Sequence, residues 1–374
     1  MPANPRTASR LLGRCLAGAF GRPLTPPDLP ANQREWETML RASSGHLAAL
    51  QLRWALREQR LFSACPADVA EYLDAIYTLN LDRNLQCEDQ LADFIRLLNS
   101  IDVRPVLLKG AAALVGGLYP TSGERMISDL DILIPAHRLP DIIDKLAGAG
   151  YKPRATEGRE IPSPVGFRGD HHYPPVVSAD WPTHVELHIS PVHLEFAALL
   201  PSEEVYREAT AMKWRGGECF LPSPTHFVAH NIIHAFLFNT KSNLEPVSLR
   251  QLFEFVLASR VYAERIDWKN IRNRFESHGH GKALRQYLAL ANTLLDFHVP
   301  EQIDISAGQR PNIQPYLIHL DLDNRSALWT INFLRQVKSR LRSLWQRRGR
   351  IIQELSTPGV YKRFVRSILG SPEG

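Results

Sequence analysis

The sequence predicts an α+β fold, a small mixed β-sheet core between an N-terminal and a C-terminal helical region, and three observations carry this prediction. Apolar residues recur at helical spacing within residues 33–99, as in Leu73, Ile76, Tyr77 and Leu81, and again in Leu91, Phe94, Ile95 and Leu98. Between residues 101 and 200 the pattern changes to short β-rich runs divided by turn residues. After Pro201 helical spacing returns. The division that follows is a helical region over 1–100, a catalytic core over 101–200, a helical domain over 201–300, and a linker with a basic helical tail over 301–374.

Each element has a local reason. Asn99-Ser100-Ile101-Asp102 interrupts the helical pattern, and residues 103–108 form a β-rich run predicted as the first strand. Residues 111–118 are small enough for a short helix, with Gly116-Gly117 marking close packing or an early end. Residues 129–134 read as a second strand stopped by Pro135, and a helix over 137–149 ends at Gly150. Residues 154–182, rich in Gly, Pro and charge, read as a long loop with a strand near 172–177. Residues 183–189 alternate, placing His184, Glu186 and His188 on one face of a half-buried strand. Ser223-Pro224 opens a helix to 238, with proline at its first position. Further helices are expected over 248–262 and 268–297.

The chain has 374 residues, enough for two or three domains, and its 44% apolar and 22% charged content is ordinary for a globular protein. The apolar part of residues 1–20 is short and broken by Arg and Gly, so no signal peptide is read there. No apolar run reaches membrane-spanning length. Cys15, Cys65, Cys87 and Cys219 are scattered without a CxxC pair, which suits reduced thiols in a cytoplasmic protein. The net charge of +5 is unevenly spread: residues 335–366 hold ten Lys or Arg against one acid, Glu354. That tail is either a solvated helix face or a contact for nucleic acid or another acidic partner.

The chemistry concentrates in residues 107–135. An apolar run ends in Lys109-Gly110, and Arg125 precedes Ser128-Asp129-Leu130-Asp131. On a strand Asp129 and Asp131 share a face, and two adjacent carboxylates repel unless a cation lies between them. A hard divalent ion meets that need, and Mg²⁺ held by carboxylates and substrate phosphates is the common arrangement. Glu186, from another strand, is the candidate third carboxylate, either completing the metal set or taking a proton from an acceptor hydroxyl. Lys109 and Arg125 are the candidate cations for a triphosphate. Gly110 and Ala111 begin a helix whose N–H groups suit phosphate.

Leu107-Leu108-Lys109-Gly110-Ala111, Tyr119, Arg125 and Ser128-Asp129-Leu130-Asp131-Ile132 together resemble the core of the nucleotidyltransferase family. More narrowly they are similar to a bacterial branch with Leu-Lys-Gly in place of the usual Gly-Ser. His172-Tyr173-Pro174-Pro175, Val185-Glu186-Leu187-His188, Leu221-Pro222-Ser223-Pro224 and Leu249-Arg250-Gln251-Leu252-Phe253-Glu254 match downstream segments of that branch. The resemblance implies a DNA-polymerase-β-like nucleotidyltransferase core. It also implies Mg²⁺, with Mn²⁺ as a substitute, bound by Asp129, Asp131 and Glu186, and an NTP contacted by Lys109, Gly110, Ala111, Arg125 and Ser128. His226, His230 and His234 are spaced by four along one helix face, a face expected to pack near the acceptor pocket rather than to bind metal. His172, His188 and His230 are the candidate lining of that pocket.

The leading reading is transfer of a nucleoside monophosphate from an NTP to a small molecule, peptide or protein, releasing pyrophosphate. A second is a toxin-like nucleotidyltransferase acting on tRNA, which the basic tail favours. A third, from another class, is a catalytically silent nucleotide-binding protein, against which the three-carboxylate set argues.

Overall fold

The computed structural model describes residues 5–21, 23–155, 160–238, 247–305, 311–314 and 316–317. The basic stretch 335–366 lies outside the described residues, so the reading of that tail as a partner contact is not addressed by the fold.

Four helices open the chain: α1 (Pro5–Gly18), α2 (Gln33–Gly45), α3 (Ala49–Glu58) and α4 (Ala67–Asn99). Asn32 caps α2 by accepting from the Glu35 amide, which satisfies one of the helix's free N–H groups. Leu12, Cys15 and Leu16 of α1 are fully buried, so this helix is part of the core. The long α4 does more than bury its apolar stripe. Its Asn80 amide donates to the Gly123 and Arg125 carbonyls, and Asn84 donates to those of Ser122 and Arg125. Gln90, further along, donates to the Thr183 carbonyl. Three buried amides of one helix therefore fix the segments that lead into both strands of the candidate site.

Those strands belong to a seven-stranded mixed sheet, ordered β3-β4-β5-β2-β1-β7-β6. The strands are β1 (Val106–Leu107), β2 (Asp129–Leu133), β3 (Lys152–Pro153), β4 (Val176–Val177), β5 (His184–His188), β6 (Thr210–Trp214) and β7 (Gly217–Leu221). Helices α5 (Lys109–Val115) and α6 (Leu139–Gly148) follow β1 and β2, and α7 (Ser202–Arg207) precedes β6. β2 runs antiparallel to β1 and parallel to β5, with Asp129 opposite His184, Asp131 opposite Glu186, and Leu133 opposite His188. Parallel pairing buries both faces. Accordingly Leu130, Ile132, Val185 and Leu187 are wholly buried on the face opposite the carboxylates.

The α+β architecture matches the sequence expectation, with three local corrections. The run after Pro201 is not helical throughout: residues 210–221 form the β6–β7 hairpin, and β7 joins the sheet beside β1. Arg215 and Gly216 both have positive φ, the turn geometry that matches strand twist. The strand expected near 172–177 shrinks to Val176–Val177 plus a single bridge between His172 and His188. The single helix expected over 268–297 is two, α10 (Trp268–Ser277) and α11 (Gly281–Leu295), because Gly279 takes φ +80 and turns the chain.

The remaining C-terminal helices are α8 (Pro224–Ile232), continued as a π-helix over Ile233–Phe238, and α9 (Leu249–Val261). Ser223 and Ser248 cap α8 and α9 by accepting from the His226 and Gln251 amides. No helix among the described residues is long and apolar enough to cross a membrane.

Leu187 sits at zero exposure between the site-facing Glu186 and His188, so packing beneath the site depends on it. Leu187→Ala is expected to lower unfolding free energy by about 2–5 kcal/mol, read as a shifted urea midpoint with unchanged slope.

Candidate active site

Asp129 and Asp131 project from one face of β2, and Glu186 projects from the same face of the adjacent β5, directly opposite Asp131. The register therefore brings the three predicted carboxylates together. His184 and His188 flank Glu186 on that face, with their Nε2 atoms 3.7 and 3.6 Å from its two oxygens. Asp131 is 1% exposed and His188 is fully buried, whereas Asp129 and Glu186 are half-buried at the mouth. Ser128, exposed, donates to Asp129 Oδ1 at 2.6 Å.

Lys109 supplies the countercharge. Its Nζ lies 2.7 Å from Asp131 Oδ1, and the same oxygen accepts from His188 Nε2 at 2.9 Å. Burial by itself would raise the Asp131 carboxyl, but Lys109 and His188 outweigh it and hold Asp131 well below the ordinary carboxylate range. Burial likewise opposes charge on His188, yet its contacts with Asp131 and Glu186 raise its pKa, so it acts as a donor. Asp129, pushed by burial and then by the Asp131 charge, is raised instead. Of three like charges on one face, the one without a full partner gives way.

Lys109 reaches Asp131 from the first residue of α5, where its backbone takes φ +43, a left-handed conformation that costs a β-carbon-bearing residue about 1–2 kcal/mol. Gly110, next in the chain, is buried against Arg125, and a β-carbon there would collide with the guanidinium. Glycine at this position thus makes room for an arginine. Ala111 is fully buried behind it.

Arg125 differs from the expectation. The residue is 8% exposed, and its guanidinium forms an ion pair with Glu254 of α9 through Nε, with a second bond from Nη2 to Glu254 Oε1 at 3.3 Å. Tyr119 donates to the same carboxylate at 3.2 Å. Burial opposes ionisation of Glu254, and the Arg125 charge overcomes it, holding that carboxyl below its usual value. The charge read as a triphosphate contact is therefore neutralised inside the protein, where it ties the turn before β2 to α9.

The histidines form one wall. His172 bridges to His188, and their rings lie 5.4 Å apart. His171, which the sequence left in a loop, packs 5.4 Å from His188 and 5.6 Å from His193, with Nδ1 held by Asp170 at 2.5 Å. His230 is 5% exposed with Nε2 unpartnered, and burial followed by the Lys109 charge pushes its pKa down to about 3. His230 and His234 stand as neutral imidazoles 6.3 Å apart. Alternation on β5 already placed His184 beside Glu186. Nothing in sequence spacing signalled that Glu254, 129 residues after Arg125, was its partner.

The donor set suits a hard divalent ion. Ligand atoms of Asp129, His184 and Glu186 lie within 4.8 Å of one another, as do those of Asp131, Glu186 and His188. Two aspartates and a glutamate supply the oxygen ligands such ions require.

A mixed sheet presenting Asp-x-Asp on one strand and a carboxylate on its parallel neighbour is an arrangement suited to holding a divalent ion for chemistry on phosphorus. The chain matches the family described as uncharacterised nucleotidyltransferase over residues 32–296, and it belongs to that family. It is thus a nucleotidyltransferase, a transferase of phosphorus-containing groups. No curated protein matches it significantly.

The Arg125–Glu254 pair generates a stability prediction. Arg125→Met leaves a buried carboxylate without its partner and should cost about 3–5 kcal/mol, measured by denaturant unfolding. Glu254 has a lowered folded pKa, so its contribution is present above the ordinary glutamate value and is lost as pH falls through the folded one. The stability difference between wild type and Glu254→Gln should therefore be largest near pH 7 and shrink below about pH 4.

Proposed function

We propose that the protein transfers a nucleoside monophosphate from an NTP to a hydroxyl or similar group on a small-molecule, peptide or protein acceptor, with Mg²⁺ and release of pyrophosphate. The observation that carries this reading is the β2–β5 register, which sets Asp131 opposite Glu186 with Asp129 on the same face. Asp129, Asp131 and Glu186 would hold the ion. When bound, it neutralises oxygens on the transferring phosphorus and activates the attacking hydroxyl.

The chain's own groups have distinct tasks in this reading. Lys109 keeps Asp131 ionised and offers an ammonium to phosphate oxygens. Glu186, its carboxyl lowered despite burial by His184 and His188, is ionised at neutral pH and orients or deprotonates the acceptor. Ser128 steadies Asp129. Gly110 leaves room for Arg125 rather than for a ligand, so the part left to Gly110 and Ala111 is that their backbone N–H groups, in the first turn of α5, would face the phosphates. His172, His188 and His230 line the acceptor side, where the neutral His230 imidazole would accept a hydrogen bond from a hydroxyl or amine at its unpartnered Nε2.

The test is incubation of the protein with Mg²⁺ and each labelled NTP, with candidate acceptors including total tRNA, following pyrophosphate release and label transfer. Transfer should require the metal, and Asp131→Asn should reduce it by about a hundredfold or more. Wild-type transfer by an Asp129→Ala/Asp131→Ala variant would rule the site out. Label on tRNA alone would replace the proposed acceptor class with nucleic acid.

A further inference from the structure

Among the described residues three strong cations lie around the site, and two have internal partners. Lys109 is bound to Asp131 and Arg125 to Glu254. The third is Arg250, in the first turn of α9 and one helical turn before Glu254, so the two side chains share a helix face. Its backbone N–H reaches the His46 carbonyl at 3.4 Å, and the neighbouring Gln251 side chain meets His234 Nδ1 at 3.2 Å. These contacts seat this turn of α9 against the helical wall of the site. Yet the Arg250 guanidinium has no ion pair or hydrogen bond among the described residues, and its Nε is buried without a partner. Burial and then the adjacent Arg125 charge depress its pKa, opposed by Glu254, Tyr119 and Asp129.

An arginine does not shed its proton in a protein, and here Nε is withdrawn from water without a partner while the side chain as a whole stays partly exposed, so an anion entering the site would meet an unneutralised guanidinium. The group is planar and presents paired donors suited to phosphate oxygens.

We propose that Arg250 is the side chain that receives the phosphate chain of the nucleotide, taking the role the sequence suggested for Arg125. This rests on the nucleotidyl-transfer reading. Arg125, already neutralised, holds α9 and the Lys109–Gly110 turn in place, and the unpaired Arg250 charge is near enough to be felt by Asp129 of the carboxylate set. The nucleotide's negative charge is then met by Arg250, and the carboxylates remain free for metal.

The experiment is titration calorimetry of the full chain in Mg²⁺ with ATP, tripolyphosphate, adenosine and total tRNA, for wild type, Arg250→Met and Arg250→Lys. Arg250→Met should weaken ATP and tripolyphosphate binding by about ten- to a hundredfold, with adenosine and tRNA binding unchanged. Arg250→Lys should recover part of the loss. Melting of the ligand-free protein supplies a readout that separates ligand binding from a structural role: Arg250→Met should melt close to the wild-type temperature, because it breaks no ion pair or hydrogen bond among the described residues. Unchanged tripolyphosphate affinity in Arg250→Met overturns the proposal, as does a fall in ligand-free melting temperature like that of Arg125→Met. An effect confined to tRNA overturns it as well. Wild-type protein that binds neither ATP nor tripolyphosphate overturns the nucleotidyl-transfer reading together with the proposal, a result distinct from the other three.

Discussion

The parallel register between β2 and β5 is the constraint on which the site depends. Strand periodicity alone puts Asp129 and Asp131 on one face, but only this register sets Glu186 opposite Asp131 and His188 two positions further on. A slip of one residue would turn the β5 set to the other side of the sheet and leave Val185 and Leu187 in the site. Much of the surrounding structure works against such a slip. Leu187 and Val185 are packed at zero exposure, Gln90 of α4 holds the Thr183 carbonyl just before β5, and the Ile134 amide continues the pairing by donating to the His188 carbonyl.

Confining three carboxylates creates an electrostatic problem that the protein solves in layers. Asp131, deepest, receives Lys109 and His188. Glu186 lies between two imidazoles, and Asp129, at the mouth, has the Ser128 hydroxyl and the most proton-retaining carboxyl of the three. Behind this layer the Arg125–Glu254–Tyr119 cluster joins the core to α9. The two layers touch at Gly110, whose missing side chain admits the Arg125 guanidinium. A small residue that reads as room for a ligand is therefore room for a neighbour.

Local patterns made much of the fold and site legible. Asp129, Asp131 and Glu186 were readable because strand periodicity fixes which side chains share a face, and Ser223 marked a helix start through its capping chemistry. The β6–β7 hairpin was harder to see because residues 210–214 mix polar and apolar side chains and are partly exposed. Its signal lay in Arg215-Gly216, where the turn takes positive φ and only Gly216 adopts it without cost. Pairings over long separations left no trace: Arg125 with Glu254, or Gln90 with Thr183, depend on how helices pack, which periodicity does not encode. Arg250 was visible only within a matching segment, since an unpaired charge shows itself only once the partners of every other charge are known.

The backbone of Lys109 carries a further implication. At φ +43 the residue that relaxes this turn best is glycine, which would also remove the ammonium from Asp131. Selection for stability alone and selection for a charged site therefore pull this position in opposite directions. A lysine in a glycine's conformation forgoes the relaxed turn and in exchange sets an ammonium on Asp131.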